Sequence, residues 1–179
     1  MENYFPLTLN TKPFLKKYLQ SLYGNPVIFS SNNSLGVILI GLLERPYKPH
    51  KSPDIIQFRA FDKYDCHLQI FLPKTILTKH RYGYALSNQQ IITLNKFFEN
   101  LFEEDLCKEI VLASMYRVKL RKAMEHFCWR HQISIEEDIS YDCLKQKAYR
   151  YRKATGISIR KKNQNINDLS FENLSKKSF

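Results

Sequence analysis

The chain has 179 residues, 44% hydrophobic and 13% aromatic, which is enough apolar material for a core and argues against disorder throughout. Lys and Arg number 28 against 17 Asp and Glu, a formal net charge of +11. Such an excess acts at long range on polyanions and carries no information about fold.

In chain order, Phe14, Leu15, Tyr18, Leu19 and Leu22 recur at helical spacing and predict a helix over 12–23. Asn10 or Thr11 can cap it, Pro13 suits its first turn, and Gly24 ends it. Val27–Ser31 and Leu35–Leu43 flank Asn32, Asn33 and Ser34, which reads as a hairpin whose second, wholly apolar run is a central strand. Pro46, Pro49 and Pro53 place 45–54 in a loop. Alternation over 55–61 and again over 67–72, around a turn at 62–65, predicts a second hairpin ended by Pro73. Residues 74–86, with the basic and aromatic stretch 79–84, fit either a loop or an edge strand.

From Ser87 the period becomes helical. Ser87 and Gln90 have capping-box spacing, and Ile91, Leu94, Phe97, Phe98 and Leu101 form the stripe of a helix over 88–102. A second helix is expected over 105–131, with a bend or a break at 116–118 where Arg117 interrupts its stripe. A third, over 140–154, is capped by Asp138 or Ser140, turns Tyr141, Leu144, Ala148 and Tyr151 to the core, and ends at Gly156. The polar tail 160–179 is expected to be flexible. The expected fold class is α+β: an N-terminal helix with a four-stranded antiparallel sheet (1–86), a three-helix region with a basic last helix (87–156), and a basic tail (157–179).

Function is read from charge. From Cys143 to Lys162 there are eight basic residues and no acidic one: Lys145, Lys147, Arg150, Arg152, Lys153, Arg160, Lys161 and Lys162. On a helix, Lys145 and Arg152 share a side with Tyr149, and Lys147 and Arg150 lie beside them. Arginine offers a planar fork to phosphate or to a guanine edge, and tyrosine bonds phosphate or stacks on a base. The outline resembles a helix-turn-helix, although the link at 132–139 is longer than usual and holds Glu136, Glu137 and Asp138. The expected function is non-enzymatic binding of nucleic acid, DNA ahead of RNA, by an accessory or regulatory protein. The alternative is an assembly module that oligomerises or docks an acidic partner. With about four to six phosphates neutralised, log K should fall with log[salt] at a slope of roughly −4 to −5.

Other constellations are weaker. His126, Cys128 and His131 with Cys143 are zinc-ligand types, but the two histidines point apart on a helix and no second pair completes four ligands. Asp54 and Asp62 flank a predicted strand without the acid-x-lysine element of metal-dependent nucleases. There is no Gly-rich phosphate loop, GxSxG or HExxH, and His67 and His80 stand alone. No catalytic residue, metal or cofactor is therefore assigned. Cys66, Cys107, Cys128 and Cys143 form no CxxC pair, and the longest apolar stretch, 37–43, is too short to span a bilayer. A cytoplasmic protein with no membrane association is expected, and a homo-oligomer is compatible with the sequence.

The residues Phe127-Cys-Trp-Arg-His-Gln-Ile133, Glu136-Glu-Asp-Ile-Ser-Tyr141, Leu144 and Tyr149-Arg-Tyr-Arg-Lys153 resemble small, uncharacterised basic proteins of phages and mobile elements in Bacteroidetes. The resemblance is confined to the C-terminal third, transfers no site residue, and implies a mobile-DNA context.

Overall fold

The structure, a computed structural model, describes residues 4–30, 32–43, 63–75 and 86–156. Its sheet is built around β3 (Cys66–Pro73), where Leu68, Ile70 and Leu72 are buried while His67 and Gln69 face outward. β1 (Tyr4–Thr11) runs antiparallel to β3 along its whole length, with Leu7 opposite Ile70 and Leu9 opposite Leu68. The two-residue β2 (Val27–Ile28) lies parallel on the other side, with Val27 opposite Ile70. The order is β1-β3-β2. Between β1 and β2 the chain forms α1 (Pro13–Tyr23), which buries Phe14, Leu15, Tyr18 and Leu19.

The four-stranded antiparallel sheet is thus corrected to a mixed three-stranded one, within an α+β fold that has five helices among the described residues. The predicted strand 35–43 is instead a helix, α2 (Ser34–Leu43). An apolar run of this length fits a strand or a buried helix equally by pattern, and its N-terminus decides. The Asn33 side-chain oxygen accepts the Gly36 N–H at 2.9 Å, a helix cap rather than a hairpin turn. Gly36 also packs on the chain before it, since a Cβ there would sit 1.9 Å from the Ser30 carbonyl oxygen. The predicted strand 55–61, the loop 45–54, the stretch 79–84 and the tail 160–179 lie outside the described residues. At α1 the cap position falls to Lys12, whose side chain makes no capping bond, and not to Asn10 or Thr11.

The C-terminal half is α3 (Asn88–Met115), α4 (Leu120–Arg130) and α5 (Tyr141–Thr155). Both halves of the Ser87–Gln90 capping box form. The expected interruption between 102 and 105 is absent. Phe98, Phe102, Leu106 and Ile110 repeat every four residues on one buried stripe, and the acids between them find partners compatible with a helix. Glu104 pairs with Lys108 at 2.8 Å, Asp105 accepts the Tyr18 hydroxyl at 2.6 Å, and Glu103 accepts Lys147 at 2.7 Å.

The break falls at 116–119. Arg117 takes a left-handed conformation, φ 59°, and the Val118 N–H reaches back to the Ala113 carbonyl at 2.8 Å, closing α3 by a Schellman motif. α4 ends in the same way, with Gln132 at φ 56° and an Ile133 N–H to Cys128 carbonyl bond of 2.9 Å.

Buried residues on both sides of Ser87 belong to one core. Phe102 meets the rings of Phe14, Tyr18 and Phe127 at 4.9, 5.3 and 5.3 Å. Asn95, fully buried on α3, ties the sheet to the helices. It donates to the Asn10 carbonyl at 2.8 Å and accepts the Thr11 hydroxyl at 2.6 Å.

Candidate nucleic-acid interface

α5 is set by its ends and by the core beneath it. The Ser140 hydroxyl accepts the Cys143 N–H at 3.2 Å, and Gly156, in the left-handed region at φ 70°, closes the helix. Leu144 and Ala148 are buried, with Tyr141 and Tyr151 half-buried beside them. In the link before α5, Asp138 accepts the Ser134 N–H at 2.7 Å and Lys17 at 2.5 Å, so it braces the turn instead of capping the helix. Glu136 accepts the Tyr141 N–H at 3.1 Å.

The basic residues of α5 divide into two groups. Lys147 points inward, with its side chain only 9% exposed. Its ammonium lies 2.7 Å from Glu103 and 3.4 Å from Glu99 on α3, and 5.7 Å from the Phe14 ring centre. Glu99 also takes Lys12. Burial opposes the Lys147 charge, but bonding to Glu103 and the charges of Glu99 and Glu103 outweigh it, so the ammonium holds its proton above the ordinary lysine range. Burial likewise opposes the Glu99 charge, and Lys12 and Lys147 overcome it, so the Glu99 pKa is lowered. Arg152 is half-buried, donates to the Ala148 carbonyl at 3.3 Å, and brings its charge close to Cys107 on α3.

The other group faces outward. Asp142, Lys145, Gln146, Tyr149, Arg150 and Lys153 are all exposed and occupy an arc of about 140° on the helix. Tyr149 is 59% exposed. Arg150 and Lys153 make no ion pair among the described residues, whereas Lys145 is shared with Asp142 at 3.3 Å. Of the sequence-predicted residues, Lys145, Tyr149, Arg150 and Lys153 therefore share one open face. Lys147 is removed from it by two carboxylates of α3, and Arg152 lies at its margin. Arg160, Lys161 and Lys162 lie outside the described residues.

Two features were not read from the sequence. Gln146 stands amid the open face and is uncharged, so a count of cations passes over it. The α3–α4 junction is a second basic cluster: Arg117, Lys119, Arg121 and Lys122 are exposed, with no acidic residue between Glu109 and Glu125. Leu112, Met115, Tyr116, Val118 and Leu120 are exposed around it, Tyr116 by 80%.

His126, Cys128 and His131, although of zinc-ligand type, have different surroundings. His126 bonds Glu109 at 2.9 Å and stacks on the exposed Trp129. Cys128 is buried, which pushes its thiol up to about 11. His131 is buried between Tyr18 and Phe127, with Nδ1 2.5 Å from the Ser21 hydroxyl. Among the described residues no cluster of three such side chains could hold a metal, and no helix is long and apolar enough to cross a membrane. No protein-family model matches the chain, and comparison with curated proteins and with solved structures found no match.

Proposed function

We propose that the protein binds duplex DNA without catalysing a reaction, and that the outward face of α5 is its contact. The observation that carries this reading is the single-helix-wide stripe of Lys145, Gln146, Tyr149, Arg150 and Lys153, held by a helix whose opposite side buries Leu144 and Ala148 and ties Lys147 to α3. A helix with its side chains is about 10–12 Å across, which matches the B-form major groove at about 12 Å. Arginine and glutamine are the side chains that pair bidentately with guanine and adenine edges there, while lysines and the tyrosine hydroxyl serve phosphates. The A-form major groove is too narrow for the same insertion, which favours DNA over duplex RNA. The mobile-DNA context implied by the resemblance above agrees with this reading and adds nothing to its physics.

The test is a titration of the full chain against B-form DNA and duplex RNA of matched length at several salt concentrations. DNA should bind more tightly than RNA at each salt, and an Arg150→Ala/Lys153→Ala variant should weaken DNA binding and lower the salt slope by about two while its thermal midpoint stays unchanged. Absence of duplex binding at low salt, or equal affinity for both duplexes throughout, removes the groove-insertion reading.

A further inference from the structure

We infer that the α3–α4 junction is a second footing on the same duplex, meeting the phosphate backbone beside the groove that α5 enters. The inference rests on the reading of α5 above and extends it to Arg117, Lys119 and Lys122.

The first ground is continuity. The Arg121 guanidinium lies 5.8 Å from the ring centre of Tyr141, and the Lys145 ammonium lies 4.8 Å from the same ring. Tyr141 opens α5 and Lys145 lies on its outward face, so this ring joins the junction to the α5 stripe. The second ground is charge. Arg117, Lys119 and Lys122 are exposed and make no ion pair among the described residues, while Arg121 is bonded to Glu125 at 2.8 Å. Three unpaired cations on a short segment attract an anionic backbone and repel a second copy of themselves, so the apolar neighbours Leu112, Met115 and Val118 do not make this a self-association surface. An anionic lipid surface is the competing occupant, because apolar and basic side chains together also suit a membrane interface. The link to α5 through Tyr141 favours DNA, since a groove-bound α5 brings phosphates to that side.

The contacts are to phosphate, so they carry affinity and salt dependence without base preference. Each phosphate contact removed lowers the slope of log K against log[salt] by about one. The experiment compares the full chain with an Arg117→Gln/Lys119→Gln/Lys122→Gln variant and with the Arg150→Ala/Lys153→Ala variant. The probes are duplex DNA and vesicles of equimolar phosphatidylserine and phosphatidylcholine, and the folded state is checked by the thermal midpoint.

The junction variant is expected to melt as the wild type does and to lose about three from the slope. Between about 50 and 200 mM salt the wild type should then lose roughly sixtyfold more affinity than the variant. If the junction variant keeps the wild-type slope while the α5 variant loses affinity, the second footing is refuted and the α5 reading stands. If neither variant nor wild type binds duplex, both fall. Vesicle binding that disappears in the junction variant, with duplex affinity unchanged, assigns the junction to lipid and overturns the proposal.

Discussion

Replacing Lys147 with methionine separates the structural charge of α5 from its binding charge. Methionine keeps most of the aliphatic stem and removes the ammonium, so packing is nearly preserved while Glu103 and Glu99 lose their cation. Removing one partner of a buried pair costs about 3–5 kcal/mol when the survivor is fully enclosed. Here the Glu103 and Glu99 side chains retain 17% and 22% exposure, and Glu99 keeps Lys12. The loss should therefore fall below that range, at about 2–3 kcal/mol, and shift the midpoint of a domain this size down by roughly 5–10 °C. Urea or thermal unfolding measures the loss, and a Glu103→Gln/Lys147→Met double variant should recover much of it, because the stranded carboxylate is gone. DNA affinity and salt slope, measured well below the midpoint, should match the wild type. A Lys147→Met protein as stable as the wild type but with one phosphate contact fewer would mean that Lys147 faces the ligand, and the division of α5 into inner and outer charges would be wrong.

Further outcomes follow from the same geometry. Asp142, 82% exposed and bonded to Lys145, stands on the binding face as a negative charge, so Asp142→Asn should raise DNA affinity a few-fold. The same change should cost a few tenths of a kcal/mol of stability, roughly, since an acid in the first turn of a helix is favourable; an unchanged affinity would place that face away from the duplex. Gly36→Ala should destabilise by at least about 1–3 kcal/mol, because its Cβ meets the Ser30 backbone, while Gly41→Ala, with nothing within 4 Å, should gain up to about 1 kcal/mol from helix propensity. Equal melting of the two variants would contradict the packing of α2. His131 is buried with Nε2 unpartnered among the described residues, and burial, then the Arg130 charge, hold its pKa below the ordinary 6.5 against the pull of Asp105 and Glu109. The unfolded chain then takes up the proton first, so this contribution is complete above about pH 6.5 and is lost as the pH falls through the lower folded value. His131→Phe should flatten the stability profile between about pH 7 and pH 5, and parallel profiles for variant and wild type would discount that burial.

What could be read from the sequence was local and periodic. The stripes of α1, β3 and α5, the Ser87 cap and the Gly156 stop each lie within a few neighbouring residues, and all appear in the structure, except that Leu22, expected on the α1 stripe, is exposed. The errors came where a local pattern has two solutions. The run from Leu35 to Leu43 is apolar on every side, so period could not distinguish a strand from a helix, and the Asn33 cap was the available signal. The expected boundary between 102 and 105 falls among acids whose partners lie far along the chain, Lys147 44 residues from Glu103 and Tyr18 87 residues from Asp105. No strand is expected over 4–11 from the sequence, although Leu7, Leu9 and Thr11 alternate inward there. The weakness of β1 as a local signal is Pro6, which a strand tolerates at an edge, and among the described residues β1 stands at one end of the order β1-β3-β2. Long-range pairing also explains Lys147. A stretch with no acid in sequence is still compensated in space when a neighbouring helix supplies carboxylates.

The same distinction changes what a salt titration means. Counting cations over 145–162 leads to four to six phosphates, and a slope of roughly −4 to −5. A cation that already holds a carboxylate displaces few counterions when it meets DNA, so only unpaired charge counts fully. On α5 that leaves, among the described residues, Arg150 and Lys153, with Lys145 half-committed to Asp142, and a slope of about −2 to −3 from the helix alone. A measured slope near −5 would require further phosphate contacts, from Arg117, Lys119 and Lys122 or from Arg160, Lys161 and Lys162. The glutamine variant of the junction separates those two sources, because it removes the first set and leaves the second untouched. A slope near −2 in the wild type, insensitive to that variant, would confine the interface to α5.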